Sequence, residues 1–352
     1  MCRIDLRIIG IATCLLLGAC AKPIVRTPVP DPSAVQANVR DERGRFREIF
    51  CAVLESHGRE LPDYRPCDQA LRHIDPEPAP TGRPVDLGPS KRRLVAALVP
   101  GIGYECFEQW LESPGTAAAH ARRFDYDLQV MDVDALSGTS INARRIRDAI
   151  MAAPAESGAP RLVLIGYSKG APDILDAVAS YPEIRGRIAA VVMLAGAVGG
   201  SALADDASQA QADMLVHFPG ATCEKGDGGA VESLRPATRQ AWLAEHPLPA
   251  GVRYYSLATF PQPERISSIL EGSYKKLAKI DPRNDSQMIF YDEILPNSTL
   301  VGYLDADHWA IAVPVSRSHP VIGSMFVTQN AYPREALLEA LLRFLEEDLG
   351  TP

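Results

Sequence analysis

The chain has 352 residues, a formal net charge of −8, and 46% hydrophobic and 23% charged residues. That length buries a full core, with room for one large α/β domain and an appendage, and the fractions are ordinary for a globular protein. No basic patch stands out, so nucleic acid is not an expected partner, and the acidic surplus reads as a solvated surface.

Arg3 and Arg7 give the chain a positive start, and Ile8 to Leu17 is an apolar stretch too short to span a bilayer stably. It ends in Leu17-Gly18-Ala19-Cys20, which resembles the lipobox of bacterial lipoproteins. The resemblance implies a signal peptide over 1–19, lipidation of Cys20, and a membrane partner through that anchor. Ala21 after the cysteine implies the outer membrane of a diderm bacterium, facing the periplasm. A plain secretory signal with Cys20 incidental is the alternative. Asp5 departs from a positive leader, and Cys14 is a poorer site because Thr13 precedes it.

Residues 20–90 read as a tether and a helical N-terminal segment. Ala21 to Pro32 is rich in proline and polar residues, as an extended tether is. Phe46, Ile49, Phe50, Val53 and Leu54 then recur at helix spacing, predicting an amphipathic helix over 41–56 whose stripe packs on the main domain. Asp75 to Ser90 carries five prolines and reads as a linker or an extended wrap. With Cys2 and Cys14 removed and Cys20 lipidated, four cysteines remain in an oxidising compartment, which favours two disulfides over buried free thiols. Of the three pairings, Cys51–Cys67 is favoured because both lie in one short segment, leaving Cys106–Cys223. No cysteine or histidine cluster has metal spacing, so no metal is expected.

The main domain is expected over 91–352. Apolar runs predict strands at 94–99, 128–133, 162–165, 188–194, 252–259 and 300–304. Helical patterns fall between them: one capped by Ser140 and carrying Ile141, Ile146 and Ile150, one over 171–180, and an amphipathic closing helix over 335–349. This alternation predicts an α/β fold with a mostly parallel sheet covered on both faces.

Straight after the run Leu162-Val163-Leu164-Ile165 stands Gly166-Tyr167-Ser168-Lys169-Gly170. A bare G-x-S-x-G is common by chance, but a preceding strand and a following helix make it a sharp turn that presents a serine. A serine hydroxyl needs a base, and the base needs a group to hold its tautomer. His308 lies just past the last apolar strand and before the closing helix, the place for the base; His319 is the fallback. For the acid, Asp285 in the turn Asn284-Asp285-Ser286 is preferred, with Glu264 and Asp281 as rivals. Asp305 and Asp307 sit too near His308 to reach round its ring and read as solvated turn residues. The oxyanion calls for two backbone N–H groups. Lys169 is expected to supply one, and Ile102, with Gly103 next, the other from the turn Pro100-Gly101-Ile102-Gly103. The Lys169 side chain is read as solvated or as paired with Glu105 or an acid of the cap.

The strand order, the GYSKG elbow, the PGIG turn, the Asn-Asp loop and Asp307-His308-Trp309 together resemble the α/β-hydrolase superfamily, on its lipase and esterase side. The resemblance covers about 91–350. It implies a serine hydrolase of carboxylic esters, working through an acyl-enzyme without a cofactor, and a cap over about 199–249. Pro100 stands where the most similar lipases have a histidine. Leu203, Met214, Leu215, Phe218 and Trp242 in the cap line a pocket for a hydrophobic ester or form the cap's own core. An acyltransferase or thioesterase on the same triad, and a non-catalytic envelope protein that binds a lipid or a partner, are the alternative functions.

Overall fold

The computed structural model describes residues 38–92, 94–108, 115–153, 161–217 and 221–350. The leader, Cys20 and the tether lie outside them. The chain runs β1 (Arg40–Asp41), α1 (Arg43–Ser56), β2 (Val95–Val99), α2 (Gly115–Arg122), β3 (Asp127–Val130), α3 (Thr139–Ala152), β4 (Leu162–Tyr167) and α4 (Gly170–Ser180). It continues through β5 (Ile188–Leu194), α5 (Pro236–Glu245), β6 (Arg253–Thr259), β7 (Thr299–Leu304) and α6 (Arg334–Asp348). The seven strands form one parallel sheet in the order β1-β7-β6-β5-β4-β2-β3.

A parallel sheet needs helices on both faces, because each crossover lays one there. Strand alternation sends Val163 and Ile165 to one face and Leu164 to the other. On the first face α1 and α6 pack with Phe46, Phe50, Leu341 and Leu345. There the Phe46 ring meets Phe344 edge-on at 5.9 Å. On the second, Ile146 of α3 and Ile174, Leu175 and Val178 of α4 cover Val99, Val191 and Met193. Each such side chain contributes about 1.5–3 kcal/mol by leaving water. The stripe of α1 therefore sits in the same core as the sheet, as its spacing predicted.

Residues 75–90 form no regular element and wrap over α1 and α6. Backbone carbonyls outside a ladder need other partners, and arginines supply several of them. Arg43 Nη1 donates to the Ile74 carbonyl at 2.8 Å, Arg45 Nη1 to Arg83 at 2.8 Å, and Arg343 Nη1 to Gly88 at 2.8 Å.

Two local expectations need correction, and one strand was not expected. The strand predicted over 128–133 ends at Val130. Ser140 does not cap its helix: α3 begins at Thr139 after Gly138, with no side-chain cap. The two-residue strand β1, beside β7, carries no periodicity that a sequence could reveal.

Candidate active site

β2 has β3 on one side and β4 on the other, so the connections out of β2 and β4 leave in opposite directions. Such a reversal opens a crevice beyond the carboxyl ends of the strands, where ligands of open α/β sheets bind. The turn Pro100–Gly103 follows β2 into this crevice, and Ser168 follows β4.

Ser168 has φ 55°, a left-handed conformation that costs a non-glycine residue about 1–3 kcal/mol. The surrounding backbone enforces it. The Ser168 N–H donates to Leu194 O at 3.3 Å, and Ser168 O accepts from Ala171 N–H at 3.1 Å and Ala197 N–H at 3.0 Å. The turn is tight enough that a β-carbon on Gly166 would stand 2.5 Å from Ala171 Cα, and one on Gly170 2.0 Å from Val99 O. The residue is 8% exposed. Behind it, α4 begins at Gly170, so the positive end of its dipole lies at the elbow.

His308 follows β7, and its Nδ1 lies 2.5 Å from Asp285 Oδ2. The two residues also share a backbone bond, His308 N–H to Asp285 O at 2.9 Å. Asp285 is fully buried, and four donors converge on its carboxylate. Oδ1 accepts the N–H groups of Gln287 at 2.8 Å and Met288 at 2.7 Å, and Oδ2 faces Thr259 Oγ1 at 3.0 Å as well as the imidazole. Tyr167 secures the histidine from β4. Its ring stacks on the imidazole at 5.0 Å between centroids, and its hydroxyl donates to His308 O at 2.8 Å. Burial pushes the Tyr167 phenol well above its ordinary range, so it remains a donor. One peptide bond joins that contact to Ser168. No local sequence signal marks Tyr167 for this task.

The rivals lie elsewhere. Glu264 is exposed, on the short turn Pro263–Arg265. Asp281 is held by Arg283 at 2.6 Å. His319 Nδ1 faces Ser318 Oγ at 3.0 Å, between two short helices. Asp305 and Asp307 are not solvated. Asp305 accepts from Gln262 N–H at 2.8 Å and pairs with Arg265 at 3.2 Å, and Asp307 accepts from Ser267 N–H and Ala310 N–H, each at 2.9 Å. These bonds shape the loops on either side of His308. Ile102 and Gly103 end the turn after β2, Gly103 with φ 75° just before the short helix Tyr104–Phe107.

The Lys169 side chain is neither solvated nor bonded to Glu105. Its Nζ lies 2.9 Å from both carboxylate oxygens of Asp173, one turn along α4, and both side chains are 1% exposed. Asn142 Nδ2 donates to Asp173 at 2.7 Å. Burial, offset in part by the Lys169 ammonium, pushes the Asp173 carboxyl up to about 6. The lysine is thus turned back from the crevice, and only its backbone faces it.

Between β5 and β6 the chain makes a helical insertion: Ala202–Asp206, Gln209–Asp213, the 3-10 turn Met214–His217, and α5. The disulfide Cys106–Cys223 ties it to the helix after the Pro100–Gly103 turn, and Thr222 N–H donates to Cys106 O at 3.1 Å. The other disulfide joins Cys51 to Cys67. The apolar residues of the expected cap divide. Leu215 lies over the turn, its Cδ1 3.2 Å from where a Gly103 β-carbon would stand. Leu203 packs beside Phe260, Phe290 and Tyr303. Trp242 packs against the α3–α4 core, with Arg239 over its ring at 4.7 Å. Met214 is 67% exposed. Phe218 lies outside the described residues.

No protein-family model matches the sequence, and no curated protein matches it. Among solved structures, the metagenomic carboxyl esterase MGS0156 is similar over 92% of this chain and 97% of its own, at 40% identity and a TM-score of 0.85. The mature lipase BlEst2 of Bacillus licheniformis is similar in fold over 69% of this chain and 95% of its own, at 22% identity and a TM-score of 0.53. Likeness of the first extent, over nearly the whole of both chains, makes this protein a member of the α/β-hydrolase superfamily and a serine ester hydrolase of the carboxylesterase kind.

Proposed function

We propose that Ser168 cleaves carboxylic esters through an acyl-enzyme, with His308 as base and acid and Asp285 as the group that orients it. Ser168 Oγ attacks the carbonyl carbon while His308 Nε2 takes the hydroxyl proton. The oxyanion that forms accepts hydrogen bonds from the backbone N–H groups of Lys169 and Ile102, with Gly103 beside them. Collapse of the tetrahedral intermediate expels the alcohol, which leaves with the proton from His308. Water then attacks the acyl carbon and gives a proton to His308. That proton returns to Ser168 Oγ as the acid departs. Asp285 accepts a hydrogen bond from Nδ1–H throughout, which leaves Nε2 free to accept and stabilises the imidazolium.

The observation that carries this reading is the strained Ser168, pinned at φ 55° one residue from a tyrosine that grips His308. Backbone strain held by surrounding bonds points to function. Hydrolysis of p-nitrophenyl esters tests it: wild type should show an initial burst, and Ser168→Ala and His308→Ala should each lose about 10⁶-fold in kcat. A Ser168→Ala enzyme within tenfold of wild type would refute the assignment. Product analysis with a competing alcohol separates hydrolysis from transfer; an ester product in place of the acid would make the protein an acyltransferase.

The Leu17–Cys20 lipobox supports anchoring at the cell envelope through a lipid on Cys20. Labelled palmitate should enter the wild-type chain and not Cys20→Ala; label in both would remove the anchor from the reading.

A further inference from the structure

Behind Asp285 lies a second carboxyl group that the reaction above does not use. Glu293 is fully buried at the end of the short turn Phe290–Glu293. Its Oε2 accepts from the Thr259 N–H at 2.7 Å and lies 3.0 Å from Thr259 Oγ1. The same Oγ1 lies 3.0 Å from Asp285 Oδ2. Glu293 Oε1 is buried without a hydrogen-bond partner. Thr259 is the last residue of β6, so one hydroxyl sits between two carboxyl groups at the strand's carboxyl end.

The protons can be counted. Thr259 Oγ1 carries one hydrogen and can donate it to a single oxygen. If Glu293 were ionised, two buried carboxylates would compete for that hydrogen with no cation between them, an arrangement that drives one of them to take up a proton. Asp285 has three further donors, from Gln287, Met288 and His308, which suit a carboxylate. Glu293 has one, and an oxygen with none. The extra proton therefore belongs on Glu293.

We propose that Thr259 and Glu293 are positioning residues for the ester hydrolysis: Glu293 is held protonated and donates to Thr259 Oγ1, and Thr259 donates to Asp285 Oδ2, fixing that oxygen on His308 Nδ1. The proposal rests on the reading in which Asp285 orients His308. Burial pushes the Glu293 carboxyl well above its ordinary range, and the Asp285 carboxylate pushes it the same way. The carboxylate groups that act on Glu293 most strongly are Asp285 across Thr259 and Asp292 on its own turn, and both favour its protonated form. Among the described residues no cation pairs with Glu293, and its Oε1 has no hydrogen-bond partner.

The test pairs kinetics with proton NMR of the resting enzyme, where the His308 Nδ1 hydrogen bonded to Asp285 gives a low-field resonance. Thr259→Val removes the hydroxyl with little change of shape. It should lower kcat by about 10- to 100-fold with KM little changed, and should move the resonance. Thr259→Ser should recover most of the rate and the original position. Glu293→Gln cannot both accept the Thr259 N–H and donate to Thr259 Oγ1 through one atom, so it and Glu293→Leu should both fall as Thr259→Val does. A Thr259→Val enzyme with wild-type kcat and an unmoved resonance would overturn the proposal, as would a Glu293→Gln or Glu293→Leu enzyme with wild-type kcat. Should the Glu293 variants not fold, the Thr259 pair decides. The resonance needs no turnover, so this outcome stays separate from whether Ser168 is the nucleophile.

Discussion

Gly101 and Ser168 touch across the crevice: a β-carbon on Gly101 would stand 2.7 Å from Ser168 Cβ and 3.1 Å from its Oγ. Only a hydrogen fits there, so the turn after β2 and the elbow after β4 are set against each other without slack. Gly101→Ala should displace the hydroxyl and cost about 100-fold in kcat/KM, since misplacement of a reacting group by about 1 Å has that effect. The far-ultraviolet circular dichroism should be unchanged. A variant within threefold of wild type would show that the serine tolerates the shift.

Asp285→Asn keeps the shape of the turn but removes the charge and favours the wrong histidine tautomer. A loss of about 10⁴-fold in kcat is expected. Glu264→Gln, on an exposed turn, should leave the rate as it is. The reverse pattern would move the acid to Glu264.

Away from the crevice, Glu339 of α6 joins three elements. It accepts from His120 Nε2 on α2 at 2.6 Å and Arg343 Nε at 2.8 Å, and faces His57 Nδ1, just past α1, at 3.0 Å. Burial alone would raise its carboxyl; the His120 and Arg343 bonds overcome that and hold it below its ordinary value. A lowered folded value means that the ionised group stabilises the fold above the unfolded value of about 4.3 and loses that effect as the pH falls below it. Glu339→Gln, which leaves Arg343 buried without its anion, should cost about 3 kcal/mol at pH 7 in urea unfolding. The gap to wild type should narrow below about pH 4. An equal cost at pH 7 and pH 3 would contradict the role of the charge.

The Cys106–Cys223 bridge closes a loop with a sequence separation of 117, against 16 for Cys51–Cys67. Chain entropy assigns about 4–5 kcal/mol to the longer loop and about 3 to the shorter. The double variant Cys106→Ser/Cys223→Ser should therefore unfold at lower urea than Cys51→Ser/Cys67→Ser. It should also lose activity first on warming, because the bridge holds the insertion on the turn after β2. Equal midpoints for the two variants would argue against that ranking.

The elbow was legible because its signals are local: an apolar run, a serine between glycines, and a helical pattern after them. Asp285 and His308 were legible from chain order and turn chemistry, and the structure brings them together. What the sequence hid depends on partners far along the chain. Asp305 and Asp307 look like solvated turn residues until Arg265 and Ser267 are seen against them. Lys169 looks free until the helix turns Asp173 under it. Glu293 and Thr259 lie 34 residues apart, and neither carries a mark of its closeness to Asp285. Trp242 was open to either role, pocket lining or cap core, because apolar content alone does not say which side of an insertion faces the sheet.

The most direct test of the hydrolase reading is reaction with a fluorophosphonate, followed by mass spectrometry of the intact and digested protein. One adduct per chain on the peptide carrying Ser168, absent from Ser168→Ala and slowed by orders of magnitude in His308→Ala, is the expected result. A folded wild-type enzyme that hydrolyses esters yet takes no adduct at Ser168, or takes it at another residue, would contradict it.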